Sequence, residues 1–258
     1  MSIKIGCQTI TFGNDRHASE IEDIFKAVSE AGYHGLEVGL KRLDTQKLTE
    51  YKDMLNKYSL KLVAIHVPSN FRDDESTEHT YKEVMQAAQT AKELGSKNVF
   101  MSGDRGRDIP GYYVRAAGHM SELAKKAKDI GITLSFHNHG HVIADNARGL
   151  FDLADNSDPQ YLHFALDVGW IYNGGQCPVD IVGRLLDRLA GIHFKEFTAA
   201  GEEGIITELG MGKVDFKGVY DLIKNKKDFW IVSEQDKSEI GPEESIRRNF
   251  KAIMSIMK

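Results

Sequence analysis

Cysteine is scarce in this chain: Cys7 and Cys177 are the only two in 258 residues. Two cysteines cannot staple a disulfide scaffold, and they read as reduced thiols of a cytosolic protein. Basic tracts are missing too. The formal net charge is −5, whereas phosphate-backbone binding needs clustered Lys and Arg, so no nucleic-acid partner is expected. No apolar run approaches the length of a membrane span. The start, Met1-Ser2-Ile3-Lys4, enters strand-like sequence without a basic-then-apolar leader. The expectation is a cytoplasmic protein with no membrane partner. No linker, low-complexity stretch or charge block divides residues 1–258, which is one domain's length.

What is present is an alternation. Short β-branched or apolar runs fall at 3–7, 35–38, 61–67, 98–101, 132–136, 162–166, 191–194 and 229–233. Segments of helical period lie between them. Ile21, Ile24, Phe25 and Val28 follow the i, i+3, i+4, i+7 spacing of one buried face. Tyr81, Val84, Met85, Ala88, Ala91 and Leu94 form a second such stripe. Gly32, Gly95 and Gly131 each stand where a left-handed residue would close a helix, with a strand run soon after. Eight βα units with short connections predict a single (β/α)8 TIM barrel, an α/β fold. A doubly wound open sheet is the alternative, but it gives no reason for polar residues to end four successive runs. The longest irregular segment is expected at 198–213, after the seventh run, where a loop commonly covers substrate.

Those four polar residues are His137, Asp167, His193 and Glu234. In a parallel barrel the strand ends converge at one mouth, and two imidazoles with two carboxylates suit one divalent ion. Mn2+, Co2+ or Fe2+ fit such a set better than Ca2+, with Mg2+ and Zn2+ as alternatives. Side chains two apart on a strand point the same way. His139, Lys195 and Asp236 therefore form an upper polar layer above the four. Glu37 and His66, at the ends of the second and third runs, also face the mouth and could meet polyol hydroxyls. For Glu37 a bond to backbone N–H groups or to a cationic side chain is the competing role. His141 reads as a loop residue. His17, His34, His79, His119 and His163 read as surface or helix-face residues. The glycines at 210 and 212 make a turn that could let backbone approach a ligand.

The motifs F-H-N-H at 136–139, L-D-V-G-W at 166–170, I-H-F-K-E at 192–196, L-G-M-G-K-V-D-F at 209–216 and S-E-Q-D at 233–236 carry a resemblance. Together they resemble the xylose-isomerase-like TIM barrels labelled sugar phosphate isomerases/epimerases, which include inosose dehydratases and ketose 3-epimerases. The resemblance spans the whole chain and implies that His137, Asp167, His193 and Glu234 are the metal ligands. It also implies that Glu234 faces the reacting carbon as the base, with His139 or His66 moving the second proton. Asn138 and Trp170, within the motifs, join Lys195, Glu37 and Asp236 as expected substrate contacts. One departure stands out. The best-known epimerases resemble a Glu-Asp-His-Glu set with two opposed glutamate bases, whereas His137 occupies the first position here.

These residues imply a metal-dependent isomerase or epimerase of a sugar or polyol, acting through an enediolate next to a carbonyl. The alternative is a lyase or dehydratase of keto-inositols or keto-sugars, which the loss of one glutamate favours over two-face epimerisation. A metal-dependent phosphodiesterase would need more ligands and a basic surface. A non-catalytic polyol-binding barrel would bind without turnover. The partner is expected to be a small sugar or polyol, and self-association is compatible with the sequence. No glycine-rich phosphate cradle stands out, which favours an unphosphorylated polyol.

Overall fold

The computed structural model describes residues 3–103 and 106–258; Met1 and Ser2, read above as the chain's start, lie outside them. Eight strands close a parallel barrel: β1 (Lys4–Gln8), β2 (Gly35–Gly39), β3 (Lys61–Pro68), β4 (Asn98–Ser102), β5 (Thr133–His137), β6 (His163–Asp167), β7 (Leu189–Phe194) and β10 (Trp230–Ser233). Between the last two lies an antiparallel pair, β8 (Glu196–Phe197) and β9 (Ile206–Thr207). Each barrel strand pairs with its neighbours in sequence, and β10 closes the ring against β1. The eight predicted runs are these strands in the predicted order. An open doubly wound sheet is excluded, since it would leave two unpaired edges.

Ten α-helices lie among the described residues. They are α1 (Gly13–Ser19), α2 (Ile21–Glu30), α3 (Leu48–Lys57), α4 (Asp74–Glu93), α5 (Tyr112–Asp129), α6 (Gly140–Asn156), α7 (Val168–Asn173), α8 (Pro178–Arg184), α9 (Phe216–Ile223) and α10 (Pro242–Ile256). The expected faces are the buried ones: Ile24, Phe25 and Val28 on α2, and Val84, Ala88 and Ala91 on α4. Asp73 begins α4 by accepting a 2.7 Å hydrogen bond from Ser76 N. Gly32, Gly95 and Gly131 have φ of 100°, 81° and 85°, the left-handed conformation that a Cβ disfavours.

One large core joins the sheet's outer face to the helices. A second, small core of Val63, Ala64, Phe100, Ala165, Trp230 and Val232 fills the barrel itself. It works because Gly191 has no side chain: a Cβ there would stand 2.8 Å from Phe100 Cζ. Phe100 then forms a floor under His193, ring centroids 5.5 Å apart. The polar strand ends rest on this apolar plug, so they cannot sink into the barrel.

Two details differ from expectation. Segment 198–213 is less irregular than its composition suggests. It leaves and returns through β8 and β9, and Thr198 and Ile205 pair within it, Thr198 N donating to Ile205 O at 3.0 Å. Helix α6 is broken just after its first turn: Asp145, Asn146 and Ala147 have φ of 56°, 59° and 59°. Left-handed conformation costs a residue with a Cβ about 1–2 kcal/mol each. Val142, Ile143 and Ala147, all buried around the break, offset part of it.

Close packing between β6 and β7 generates a stability test. A Cβ on Gly169 would stand 2.4 Å from Lys195 O, a backbone atom that cannot yield cheaply. Gly169→Ala should cost about 1–3 kcal/mol through overpacking. For a chain of this size that lowers Tm by several degrees, about 2–4 °C per kcal/mol. Thermal melting of the two proteins checks it, and an unchanged Tm would mean the β6–β7 mouth is loose.

Candidate metal and substrate site

His137, Asp167, His193 and Glu234 come together at the C-terminal mouth. One donor atom from each lies within 4.8 Å of the others. His137 ends β5 and Asp167 ends β6, paired in register with His193 of β7, while Glu234 follows β10. All four are buried.

The buried polar atoms are what make this a candidate metal centre. His137 is fully buried and neither ring nitrogen has a hydrogen-bond partner. Burial, with His193 adding to it, pushes its pKa well below the imidazole range, so it is neutral and one ring nitrogen has a lone pair to give. Asp167 Oδ1 accepts from Trp170 N at 3.0 Å, whereas Oδ2 is buried without a hydrogen bond. Leaving such groups unmatched costs about 1–3 kcal/mol each. A divalent ion would satisfy both, and the donor set fits it: with neutral imidazoles, two carboxylates balance a charge of +2.

His193 is differently placed. Its Nε2 lies 2.9 Å from Glu37 Oε2 and its Nδ1 2.5 Å from Glu234 Oε2. Burial opposes a charge on the ring, but Glu37 and Glu234 overcome it and raise the pKa to about 10. This ring is therefore an imidazolium that must give up a proton to ligate, as metal binding generally requires. Glu37 on Nε2 would then orient Nδ1, the carboxylate–histidine pairing common behind metal ligands.

Glu37 is thus a structural partner, the competing role read from the sequence. Its Oε1 accepts from Gln8 Nε2 at 2.7 Å and lies 2.9 Å from His66 Nδ1, and the residue has no exposure to solvent. Burial alone would raise its pKa, yet His193 and His66 hold it below the usual range. Asn138 also departs from expectation. It is fully buried, its Oδ1 accepts from Asp167 N at 2.9 Å and its Nδ2 donates to Asp167 O at 3.1 Å. Both of its polar atoms are engaged in clamping Asp167. His66 has both ring nitrogens engaged, Nδ1 with Glu37 and Nε2 with Ser102 Oγ at 3.1 Å. Proton transfer by His66 therefore competes with these bonds, and His139 is the freer of the two imidazoles.

The upper layer is a charge cluster. Lys195 Nζ donates to Glu234 Oε1 at 3.0 Å and to Asp236 at 3.2 Å, and lies 3.6 Å from Asp167 Oδ2 and 5.1 Å from the Trp170 ring. Burial would discharge this amine, but Glu234, Asp167 and Asp236 raise its pKa, so it stays a cation. Glu234 shows the reverse: burial opposes its charge, while Lys195 and His193 hold it well below the carboxylate range. Asp236 is raised by burial, Lys195 pulling the other way. Burial and then Lys195 lower His139 to about 3, leaving a neutral ring.

Above these groups opens a cavity of about 1060 Å³. His66, His139, Trp170, Lys195, Glu234 and Asp236, all expected near substrate, line it. So does His141, which sits on the first turn of α6 rather than in a loop. Arg42, Gln8 and Glu202 line it as well and were not anticipated. Gln8 ends β1, so the strand-end rule applied to the first run would have found it. Arg42 lies in a 3-10 turn after β2, with no sequence signal. The remaining histidines mostly match expectation, but His17 is buried, bonded to Gly13 O and Thr9 Oγ1. Among the described residues no helix is long and apolar enough to cross a membrane.

The fit can be tested by metal content. Asp167→Asn should lose most of its affinity for Mn2+, because a neutral oxygen replaces a balancing carboxylate. Asn138→Ala should keep the ligands but weaken affinity about 10–100-fold, the usual worth of an outer-shell partner. Competitive chelation measures both, and wild-type affinity in Asp167→Asn would sink the assignment.

Comparison with known proteins follows this geometry. An inosose dehydratase from Lacticaseibacillus casei is 25% identical, over 94% of this chain and 93% of that protein. A sugar phosphate isomerase/epimerase from Parabacteroides distasonis superposes with a TM-score of 0.79 at 19% identity, covering 100% of this chain and 96% of that one. The IOLI protein, whose crystal structure holds a zinc atom, superposes with a TM-score of 0.78 at 16% identity, covering 99% and 98%. At these identities the two structures share the fold. The Xylose isomerase-like TIM barrel family matches residues 25–256, most of the chain, and on that match this protein belongs to the family.

Proposed function

We propose that this chain is a metal-dependent enzyme that removes a proton next to the carbonyl of a polyol ketone and then expels a β-hydroxyl as water. The observation that carries this reading is the asymmetry of the proton-transfer groups. Isomerisation or epimerisation was the first expectation from sequence, but epimerisation needs a competent base on each face of one carbon. Here Glu234 is ionised on one side of the mouth. The position of a second glutamate is taken by His137, a neutral imidazole, so only one of the two opposed carboxylates of a two-face mechanism is present. The resemblance to inosose dehydratase over most of the chain supports loss of water as well.

The ion held by His137, Asp167, His193 and Glu234 would supply Lewis-acid polarisation of substrate oxygens. The chain's own residues do the rest. Glu234 lines the cavity and takes the proton from carbon. Lys195 holds the negative charge that develops on oxygen, since its ammonium is buried and stays charged. Asp236, a carboxyl whose pKa is raised by burial and then by Glu234 against the pull of Lys195, gives a proton to the departing hydroxyl. The C–H and C–O bonds break, a C=C bond forms, and water leaves. Trp170 and His139 wall the substrate from bulk solvent.

Solvent-deuterium exchange and ultraviolet absorbance of the conjugated product, over a panel of inososes and ketoses with Mn2+, test the reading. Glu234→Gln should cut exchange by about two to four orders of magnitude, the worth of a positioned base. Asp236→Asn should slow loss of water by about 10²–10⁴ while exchange continues. Exchange at the wild-type rate in metal-loaded Glu234→Gln would move the base elsewhere. If ketoses exchange and epimerise without losing water, the dehydratase branch is wrong.

His137 offers a separate test. His137→Glu restores a second carboxylate at the ligand position and should shift products of one ketose toward the epimer while metal stays bound. An unchanged product distribution would make this position a ligand and nothing more.

A further inference from the structure

A second chamber of about 970 Å³ adjoins the first and shares Trp170, Glu202 and Asp236 with it. It opens between the β8–β9 hairpin and residues 236–240. Its walls are held before any ligand arrives. Asn173 Nδ2 donates to Gly201 O and Gly201 N to Asn173 O, both at 2.8 Å. Glu208 Oε1 accepts from Gln235 Nε2 and Ser238 Oγ, each at 3.0 Å, tying the hairpin to the segment after β10.

The apolar part of the lining begins at Trp170, one of the shared residues. Trp170 and Phe197 pack with ring centroids 5.0 Å apart. Ile205 and Ile240 line the same space and remain 69% and 40% exposed, two of the five large hydrophobic residues exposed among the described residues. Apolar groups left in water at the edge of a polar site commonly mark contact with an apolar ligand part. The charged lining is acidic: Glu202, Glu208, Asp236 and Glu239 against Lys237. That excess of carboxylates disfavours a phosphate. Pockets of about 300–1,000 Å³ hold drug-sized ligands, so a free six-carbon polyol would leave most of the joined space empty.

Resting on the proposed reaction, we infer that the substrate is a conjugate, a polyol ring carrying an uncharged aryl or alkyl substituent that occupies this second chamber. The polar ring lies under Lys195 and Glu234, and the substituent passes Trp170 to lie against Phe197, Ile205 and Ile240.

Calorimetric titration of the Mn2+-loaded full chain with 4-nitrophenyl β-D-glucopyranoside and methyl β-D-glucopyranoside tests this. The aryl ligand should bind about tenfold tighter or more, as burial of an aromatic ring predicts. In Ile205→Asp and Ile240→Asp the ratio of the two affinities should fall to near one. Equal affinities in the wild type, no binding of either glycoside, or a ratio untouched in both variants would overturn the inference. So would a wild-type dimer that Ile205→Asp renders monomeric with no effect on the ratio, since a second chain would then be the occupant. Solvent-deuterium exchange is run on ketones with and without an aryl substituent, so failure of both beside an intact aryl preference counts against the reaction and not against the chamber.

Discussion

The mouth of this barrel is governed by the burial of charge. Four carboxylates, Glu37, Asp167, Glu234 and Asp236, converge with only Lys195 and a protonated His193 to answer them. Glu37, Glu234 and Asp236 each have an opposite charge within about a hydrogen bond's length, whereas burial raises the pKa of Asp167 to about 7 against the pull of Lys195. Both ring nitrogens of His137 and Oδ2 of Asp167 are buried without a hydrogen bond, the latter 3.6 Å from Lys195 Nζ. A divalent cation would complete the balance, and the neighbouring residues support the four donors: Asn138 clamps Asp167, Glu37 lies against His193, and Phe100 supports that ring from below.

The same electrostatics divide labour between like residues. Glu234 and Asp236 are two residues apart on one strand end and both touch Lys195. Yet the deeper one, beside His193, is kept ionised, and the shallower one has its pKa raised by burial. Two carboxyls driven in opposite directions by their surroundings are suited to act as base and acid in one reaction. The three imidazoles of the layer are separated in the same way. His193 is charged between carboxylates, while His137 and His139 are kept neutral by burial.

Loops decide what reaches this centre. The β8–β9 hairpin and the segment after β10 are joined through Glu208 and Gln235, and Gln235 is in turn held by Ser245 and Asn249 of α10 at 2.8 and 2.9 Å. Glu196 accepts from Gly210 N and Val214 N, each at 3.1 Å, which folds the glycine-containing turn back over β8. A Cβ on Gly212 would stand 2.2 Å from Phe197 O, so this turn serves close packing within the loop. Ligand selection therefore rests on a braced wall instead of on a free flap.

The sequence by itself determined the barrel and the meeting of His137, Asp167, His193 and Glu234 at its mouth. Hydrophobic period, helix-closing glycines and polar strand ends are local features, and closure of a parallel barrel brings every strand end to one mouth whatever the details. The two-residue alternation likewise put His139, Lys195 and Asp236 above His137, His193 and Glu234. Tertiary structure alone decided the roles of Glu37, Asn138 and His66, because a strand-end polar group can face substrate or a neighbouring strand, and only the neighbour's position chooses. Glu37 meets His193 across the barrel, a pairing no spacing encodes. Arg42 and the second chamber belong to the same class: loops after different strands build them, and their approach is set by packing that the linear order does not carry. The charge states of the mouth are tertiary as well, since they follow from burial and from partners far apart in the chain.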